Sequence, residues 1–171
     1  MLIWINGAFG VGKSSVAEAL REKLGKAHVY DPEMTGYFLW EVFLDEMKRK
    51  GNFQHIPLWR EFNYKILKHI NDSYNGVVIA PMTIYVKQYY DEIVGNLINS
   101  GITVENFILS ATKHTIIERL KQRGEKESGW EAQHIDICIS AFDSCIPGHK
   151  IDAENKSVEE IAAEIMECLK L

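Results

Sequence analysis

The residues that most clearly carry chemistry lie near the start of the chain. The string Gly7-Ala8-Phe9-Gly10-Val11-Gly12-Lys13-Ser14 fits the pattern GxxxxGK[ST] at every fixed position. In this pattern the glycines let backbone N–H groups approach a phosphate, Lys13 brings a mobile positive charge, and the Ser14 hydroxyl is a ligand for Mg²⁺. A glycine-rich turn without a ligand is the alternative, but such a turn requires neither Lys13 nor Ser14. We therefore predict that residues 7–14 and the adjoining Ser15 bind ATP and Mg²⁺.

A second group of candidate residues follows the second predicted strand. Asp31 and Glu33 flank Pro32, and side chains two residues apart on an extended chain lie on the same side. Ligands of open α/β sheets bind at the carboxyl ends of strands, so we predict that this pair is catalytic and contacts the substrate. One carboxylate would accept a proton from a substrate hydroxyl and the other would orient metal-bound water. The sequence leaves open which carboxylate has which role. The alternative is a solvated Asx turn at Asp31 with Glu33 in the first turn of a helix.

Two arginines precede a polar stretch late in the chain. Arg119 and Arg123 lie four residues apart on a predicted helix that ends at Gly124, so they share one helix face. We predict that they clamp phosphates and cover adenine beside a mobile lid at about residues 124–134. Exposed ion pairs with Glu118 or Glu127 are the alternative.

The segment at about residues 33–75 is predicted to bind the substrate that accepts the phosphoryl group. Of the 18 aromatic residues, 13 lie between Tyr30 and Tyr90. Packing in the segment's own core explains most of these rings. For the acceptor cleft we select Tyr37, Trp59 and Tyr64, then Arg60, for which a salt bridge with Glu61 or Asp31 is the alternative, and finally Met82 and Thr83 after the third strand.

The elements that position these residues alternate between strand and helix. Strands are predicted at Leu2–Ile5, His28–Asp31, Val77–Ala80, Thr103–Leu109 and Lys150–Asp152. A helical hairpin, Met34–Lys48 and Leu58–Ile70, is inserted after the second strand. This order predicts an α/β fold with a doubly wound, parallel, five-stranded sheet in one domain that spans residues 1–171.

Composition excludes several classes of function. The formal net charge is −5, and no basic cluster is longer than Lys48-Arg49-Lys50, which argues against a nucleic-acid partner or an anionic membrane surface. No apolar run reaches the length of a membrane span, and the N-terminus lacks a signal peptide. The three cysteines support neither a disulfide framework nor a zinc site. We expect a cytoplasmic protein.

The strings together resemble known families. The phosphate loop, the acidic residues after the second strand, the helical insertion and Glu118–Gly124 are similar to the nucleoside-monophosphate, shikimate and gluconate kinase group. Ile3–Gly10, Tyr30–Glu33, Pro57–Arg60, Phe62–Tyr64 and Pro81–Ile84 resemble the bacterial tunicamycin-resistance family more closely.

The resemblance implies an ATP-binding protein linked to tunicamycin resistance. It also implies that Arg119 packs on adenine, that Arg123 contacts the transferred phosphate, and that Asp152 to Asn155, including Asn155 itself, borders the base. The expected activity is transfer of the ATP γ-phosphoryl group to a hydroxyl of a nucleoside-like or amphiphilic acceptor. Sequestration of tunicamycin without chemistry and an ordinary metabolite or nucleotide kinase are the alternatives.

Overall fold

A computed structural model describes residues 1–48, 52–126 and 128–170. Its centre is a five-stranded, all-parallel sheet in the order β2-β3-β1-β4-β5. The strands are β1 (Leu2–Gly7), β2 (Ala27–Val29), β3 (Val77–Pro81), β4 (Val104–Ser110) and β5 (His149–Asp152). The predicted fold class is therefore confirmed.

The central strand carries the phosphate loop. β1 pairs with β3 in the register Ile3 to Ile79 and with β4 in the register Ile5 to Phe107. All six residues of β1 are buried, because helices cover both faces of a parallel sheet and leave no side for polar residues. The carboxyl end of β1 is thus fixed between β3 and β4, so the phosphate loop that follows it begins from a rigid strand.

Nine α-helical segments surround the sheet in the described part of the chain. They are α1 (Lys13–Lys23), α2 (Pro32–Val42), α3 (Pro57–Ser73), α4 (Lys87–Tyr90), α5 (Asn96–Asn99), α6 (Lys113–Gln122), α7 (Trp130–Gln133), α8 (Ile135–Ser144) and α9 (Val158–Leu169). A π-helical turn, Asp91–Gly95, joins α4 to α5, and 3₁₀ turns occupy Asp45–Met47 and Phe53–His55.

The region after the second strand differs from its prediction in its boundaries. β2 ends at Val29 rather than Asp31, and α2 begins at Pro32 and stops at Val42 rather than running from Met34 to Lys48. Proline is favoured at the first helical position because the N–H it lacks would be unpaired there, and Asp31 caps the helix. Asp31 is extended, as expected for a residue before proline, but it caps the helix that begins at Pro32 and lies two residues past the end of the strand.

The predicted lid contains a short helix. α6 ends at Gln122, Gly124 follows with a φ of 82°, and α7 then covers Trp130–Gln133. The Trp130 ring meets the Phe9 ring edge to face, with 4.9 Å between centroids. Glu127, one of the predicted alternative partners of the arginines, lies outside the described residues.

Candidate functional site

The phosphate loop has the backbone that its glycines permit. Gly7 has a φ of 137°, and a Cβ there would lie 2.6 Å from the Leu109 carbonyl oxygen of the neighbouring strand. Gly12, with a φ of 112°, is the N-cap of α1 and has open space where its Cβ would be. The first backbone bond of α1 runs from Val16 N–H to the Gly12 carbonyl, at 3.1 Å, which leaves the earlier N–H groups of the helix without partners inside it. The N-terminus of α1 is therefore suited to bind an anion such as a phosphate group.

Lys13 lies inside the curve of the loop. Its Nζ donates to the carbonyl oxygens of Ala8, at 2.9 Å, and Gly7, at 3.3 Å. Burial lowers the pKa of Lys13 to about 8, while nearby Cys138 and Glu33 oppose that change. The ammonium is thus held where phosphates would approach the glycine backbone.

We predict that ATP binding becomes weaker as the pH rises through 8. Below the pKa of about 8, Lys13 is already an ammonium, so affinity there is insensitive to its titration. Above that pKa the free protein must take up a proton to bind phosphate, and the dissociation constant should rise by up to about tenfold per pH unit. Calorimetry between pH 7.5 and 9.5 measures this slope.

The matched control for this pH dependence is Lys13→Arg, because a guanidinium stays protonated throughout the range. Its ATP affinity should be flat with pH, whatever its absolute value. Equal slopes for the native protein and Lys13→Arg would assign the titration to another group.

Asn6 and Thr83 join the phosphate loop to the segment after β3. The Asn6 Oδ1 accepts from the N–H groups of Gly7, at 3.0 Å, and Ile84, at 2.9 Å, while its Nδ2 donates to the Ile84 carbonyl at 3.1 Å. The Thr83 hydroxyl donates to the Gly7 carbonyl at 2.8 Å. Thr83 and Met82 are therefore brought to the site as predicted, whereas Asn6 was missed, since its bonds across the sheet go to Ile84, 78 residues away in sequence.

Asp31 and Glu33 occupy different environments at the start of α2. The Asp31 Oδ1 accepts from the Glu33 N–H at 2.9 Å, so this exposed carboxylate caps the helix. Glu33 is partly buried. Burial raises the pKa of Glu33, and the negative charge of Asp31 adds to that effect against the opposing influence of Lys13 and Tyr37. A carboxylate with a raised pKa is a stronger base, which suits it to accept a proton from a substrate hydroxyl.

The two arginines take separate positions. Arg119 donates to three backbone carbonyls: Val11 at 3.0 Å in the phosphate loop, and Ala153 at 2.7 Å and Glu154 at 3.4 Å after β5. Arg119 is therefore held by backbone carbonyls, whereas the alternative was an exposed ion pair. Arg123 is exposed at the C-cap of α6. Asn155 follows Glu154 and is exposed, next to the carbonyls that hold Arg119.

Two cavities meet at the phosphate loop. The first, about 380 Å³, is called the acceptor cavity below, and its lining includes Lys13, Ser14, Asp31, Glu33, Tyr37, Met82 and Thr83 together with Phe9, Trp40, Phe53 and Trp130. The second, about 320 Å³, is called the nucleotide cavity, and its lining includes Val11, Gly12, Ser15, Arg119, Lys156 and Ser157. Gly10 and Arg123 line both cavities.

Three predicted acceptor residues do not reach the acceptor cavity. Trp59 is fully buried, and its Nε1 donates to the Pro32 carbonyl at 3.1 Å. Tyr64 lies on another face of α3 and lines a separate cavity beside Pro57 and Glu92. Arg60, 6% exposed, pairs with Glu92, donates to the Gln54 carbonyl and lies over the Tyr89 ring. These placements correct the prediction that Trp59, Tyr64 and Arg60 line the acceptor cleft. Residue types alone did not show which face of α3 packs against α2 and the π-helical turn.

Arg60 acts on the cavity through Gln54. The guanidinium holds the Gln54 carbonyl, and the Gln54 side-chain Nε2 in turn donates to the Thr83 carbonyl at 2.7 Å. A chain of contacts therefore runs from Glu92 through Arg60 and Gln54 to the phosphate loop. Gln54, Asn52, Phe53 and Trp40 were not predicted for the site, and they carry no motif that would have selected them.

We predict that Arg60→Ala lowers the free energy of unfolding by about 2 kcal/mol, because Glu92 and the Gln54 carbonyl lose a buried partner. For a chain of this length the midpoint of thermal unfolding should fall by about 4–8 °C. Arg21→Ala, which removes the exposed pair with Glu18, is the control and should change the midpoint little. Similar midpoints for both variants would contradict the structural role of Arg60.

The oxygen-rich lining of the acceptor cavity fits Mg²⁺ better than a transition metal. The hydroxyl of Ser14 and the carboxylates of Asp31 and Glu33 line the same space, and Mg²⁺ prefers such oxygen ligands. Within the described ranges, no group of three or more His, Cys, Asp or Glu side chains forms a metal cluster of its own.

The family of the chain follows from comparison with known proteins. A family model described as AAA domain matches residues 3–137. A protein of Pyrococcus furiosus named "Putative adenylate kinase" is 30% identical over 171 residues, which cover 97% of this chain and 82% of that protein. A protein of the same name from Methanocaldococcus jannaschii is 25% identical and covers 99% of this chain and 86% of its own length.

Solved structures agree with this family. The tunicamycin resistance protein of Deinococcus radiodurans has a TM-score of 0.85 and 25% identity, covering 99% of this chain and 95% of that chain. The shikimate kinase of Bacteroides thetaiotaomicron shares the fold, with a TM-score of 0.65, 18% identity and coverage of 100% and 99%. None of the described helices is both long and apolar enough to cross a bilayer. The chain belongs to the AAA domain family, and its kinase relatives together with the likeness to the tunicamycin resistance protein place it in the P-loop kinase group, as its sequence resemblances predicted.

Proposed function

We propose that this protein transfers the γ-phosphoryl group of ATP to a hydroxyl of a nucleoside-like or amphiphilic small molecule. The observation that carries this proposal is the meeting of two cavities at Gly10 and Arg123. A phosphoryl group that moves between the cavities would pass these two residues. Direct transfer needs the donor on one side of such a boundary and the acceptor on the other. A protein that only binds ATP does not need this second cavity.

The proposed roles follow from position. ATP would lie along residues 7–15, with Lys13 facing its phosphates, while Arg119 and Asn155 would border the base. Ser14 would hold Mg²⁺, which neutralises phosphate charge and orients the phosphates when bound. Asp31, with one oxygen engaged in the cap bond, would orient metal-bound water through its other oxygen.

Glu33 is the preferred general base for the acceptor hydroxyl. It lines the acceptor cavity and is partly buried, and burial raises its pKa, which makes it a stronger proton acceptor than an exposed carboxylate. The Tyr37 side chain lies beside it in the same cavity. The hydroxyl that becomes phosphorylated would therefore be placed between Glu33 and the ATP phosphates.

In this proposal the chain works as a single domain, residues 1–171, with two parts that close on the ligands. Residues 33–75 supply one wall of the acceptor cavity, and residues 124–134 supply the opposite wall through Glu125, Trp130 and Glu131. The contact between Trp130 and Phe9 places that second wall directly on the phosphate loop. Closure would exclude water from the transferred group, as lids of such enzymes do.

A second candidate function is sequestration of tunicamycin without chemistry. Its support is the similarity to the Deinococcus radiodurans tunicamycin resistance protein, together with an apolar groove of about 520 Å³ on the outer side of α2. The groove is lined by Met34, Thr35, Phe38, Phe62, Lys65 and Ile66. An amphiphilic ligand fits this groove whether the protein is a kinase or a sequestering protein. The formation of a phosphorylated product must therefore distinguish the two functions.

A mass-spectrometric screen tests the proposed function. The full chain, ATP and Mg²⁺ would be incubated with nucleosides, nucleoside monophosphates, sugars and tunicamycin, and each would be examined for the mass of one added phosphoryl group. A phosphorylated product formed in step with ADP supports the kinase. Tight binding of tunicamycin with no heavier product from any compound would support sequestration instead.

A further inference from the structure

Arg119 joins the two sides of the nucleotide cavity. Its Nη1 donates to the Val11 carbonyl of the phosphate loop at 3.0 Å. Its Nη2 donates to the carbonyls of Ala153, at 2.7 Å, and Glu154, at 3.4 Å. Val11 lines the cavity on the phosphate side, and Lys156 lines it two residues beyond Glu154. One guanidinium therefore fixes the separation between the phosphate loop and the segment after β5.

The Glu154 side chain holds α6 in return. Its Oε2 accepts from the Thr112 N–H at 2.6 Å, and its Oε1 accepts from the Thr112 hydroxyl at 2.9 Å and from the Thr115 hydroxyl. Thr112 is the N-cap of α6, and Thr115 lies in the first turn of that helix. Arg119 of α6 thus binds the backbone of Glu154, while the start of α6 binds its carboxylate. We call these contacts of Arg119, Glu154, Thr112 and Thr115 the α6 clamp.

The segment that the α6 clamp holds is also fixed to the sheet. The Ala153 N–H donates to the Ser110 carbonyl of β4 at 2.8 Å, and the Glu154 N–H donates to the Asp152 Oδ1 at 2.9 Å. Both N–H groups and both carbonyls of residues 153–154 therefore have partners. Asn155, which the proposed function places beside the base, follows directly, so its position depends on these bonds.

Charge alone would make Glu154 unfavourable for ATP binding. Hydrogen bonds from Thr115 and Thr112 lower the pKa of the Glu154 carboxyl, so it stays ionised at neutral pH. ATP is a polyanion, and like charges repel each other. An effect of Glu154 in favour of ATP binding must therefore come from the position of the segment that it holds.

We propose that the α6 clamp positions the base side of the nucleotide cavity, with Glu154 as a positioning residue that does not touch the nucleotide. The lining of the cavity includes Arg119 but not Glu154. The α6 clamp holds the segment after β5 at the distance from the phosphate loop that the nucleoside part of ATP requires. Binding of the phosphate part depends on residues 7–15 and is independent of Glu154. This inference rests on the proposed function, since it takes ATP as the ligand of the cavity.

Glu154→Ala tests this role with two ligands. The full-length protein is titrated with ATP and with inorganic tripolyphosphate, each with Mg²⁺, by calorimetry. Loss of the α6 clamp should weaken ATP binding about tenfold and change tripolyphosphate binding by less than about twofold, since only ATP carries a base. Removal of the charge alone predicts the opposite sign, namely tighter binding of both ligands. Equal changes for the two ligands, or an unchanged ATP affinity, would overturn the proposal.

Two further variants separate positioning from charge and from folding. Glu159→Ala removes the same charge from an exposed position in the first turn of α9 and should leave both affinities unchanged. Thr115→Val keeps the shape of the side chain but removes one hydrogen bond to Glu154, so ATP affinity should fall about two- to threefold. If Glu154→Ala does not fold, native ATP affinity in Thr115→Val overturns the proposal.

Arg119→Lys completes a double-mutant cycle with Glu154→Ala. A single ammonium cannot bridge the carbonyls that the guanidinium holds, so ATP binding should become weaker in Arg119→Lys as well. Because both residues belong to one clamp, the loss in the double variant should be smaller than the two single losses combined. Fully additive losses would show that the two residues act independently and would overturn the α6 clamp.

The outcomes separate this inference from the proposed function. If the variants change ATP and tripolyphosphate binding as expected and no phosphoryl transfer occurs, the α6 clamp stands and the kinase is wrong. If an acceptor is phosphorylated and Glu154→Ala binds ATP as the native protein does, the kinase stands and the positioning role is wrong.

Discussion

Lys13→Ala is expected to reduce phosphoryl transfer by about 10²–10³-fold, the cost of removing one preorganised positive group from developing negative charge. It should also weaken ATP binding, since Lys13 Nζ is held against the Gly7 and Ala8 carbonyls inside the phosphate loop. Single-turnover transfer and ATP calorimetry measure the two effects. The fold should persist, because Lys13 belongs to the loop rather than to the apolar core.

Lys23→Ala is the matched control for that variant. Lys23 lies in the last turn of α1, is exposed, and differs from Lys13 mainly in its distance from the loop. Its transfer rate and ATP affinity should equal those of the native protein. If Lys13→Ala keeps native ATP affinity and an unchanged circular dichroism spectrum, the assignment of the phosphate loop as the ATP site is wrong.

Glu33→Gln is expected to reduce the transfer rate by about 10²–10⁴-fold, the usual contribution of a positioned general base. The substitution keeps the size and hydrogen-bonding capacity of the side chain but removes its basicity. ATP affinity should change far less than the rate, since Glu33 lies in the first turn of α2 and is not part of the phosphate loop, residues 7–15.

Asp31→Asn is the internal comparison. Asparagine also accepts the cap bond from Glu33 N–H, so α2 should keep its start. We expect a smaller rate loss than for Glu33→Gln, accompanied by a higher Mg²⁺ requirement. A larger loss for Asp31→Asn would move the base to Asp31, and a native rate in both variants would exclude the pair from the mechanism.

Local patterns predicted the parts of the site that depend on neighbours in sequence. The phosphate loop requires a strand, glycines and a helix start in consecutive residues, and all of these are visible in residues 2–24. Asp31 and Glu33 were selected for the same reason, although the strand before them ends at Val29 and a helix begins at Pro32. The sheet followed from the alternation of apolar runs and helical patterns.

Residues whose positions depend on long-range packing were not predictable. Arg60 was expected to hold the acceptor, yet it pairs with Glu92, 32 residues away in sequence, and reaches the cavity only through Gln54. Asn52 caps a short 3₁₀ turn that contains Gln54, and Gln54 reaches the cavity by its bond to the carbonyl of Thr83, 29 residues away in sequence. No periodicity or motif in the sequence encodes such long-range contacts.

A single-turnover experiment with ATP labelled at the γ-phosphorus tests the central claim most directly. Protein in excess over ATP would be mixed with Mg²⁺ and the acceptor that the mass-spectrometric screen identifies. We expect close to one equivalent of label on the organic acceptor, and we expect Glu33→Gln to slow this step with ATP still bound. Label that remains in ATP, or appears only as inorganic phosphate with every acceptor, would contradict it.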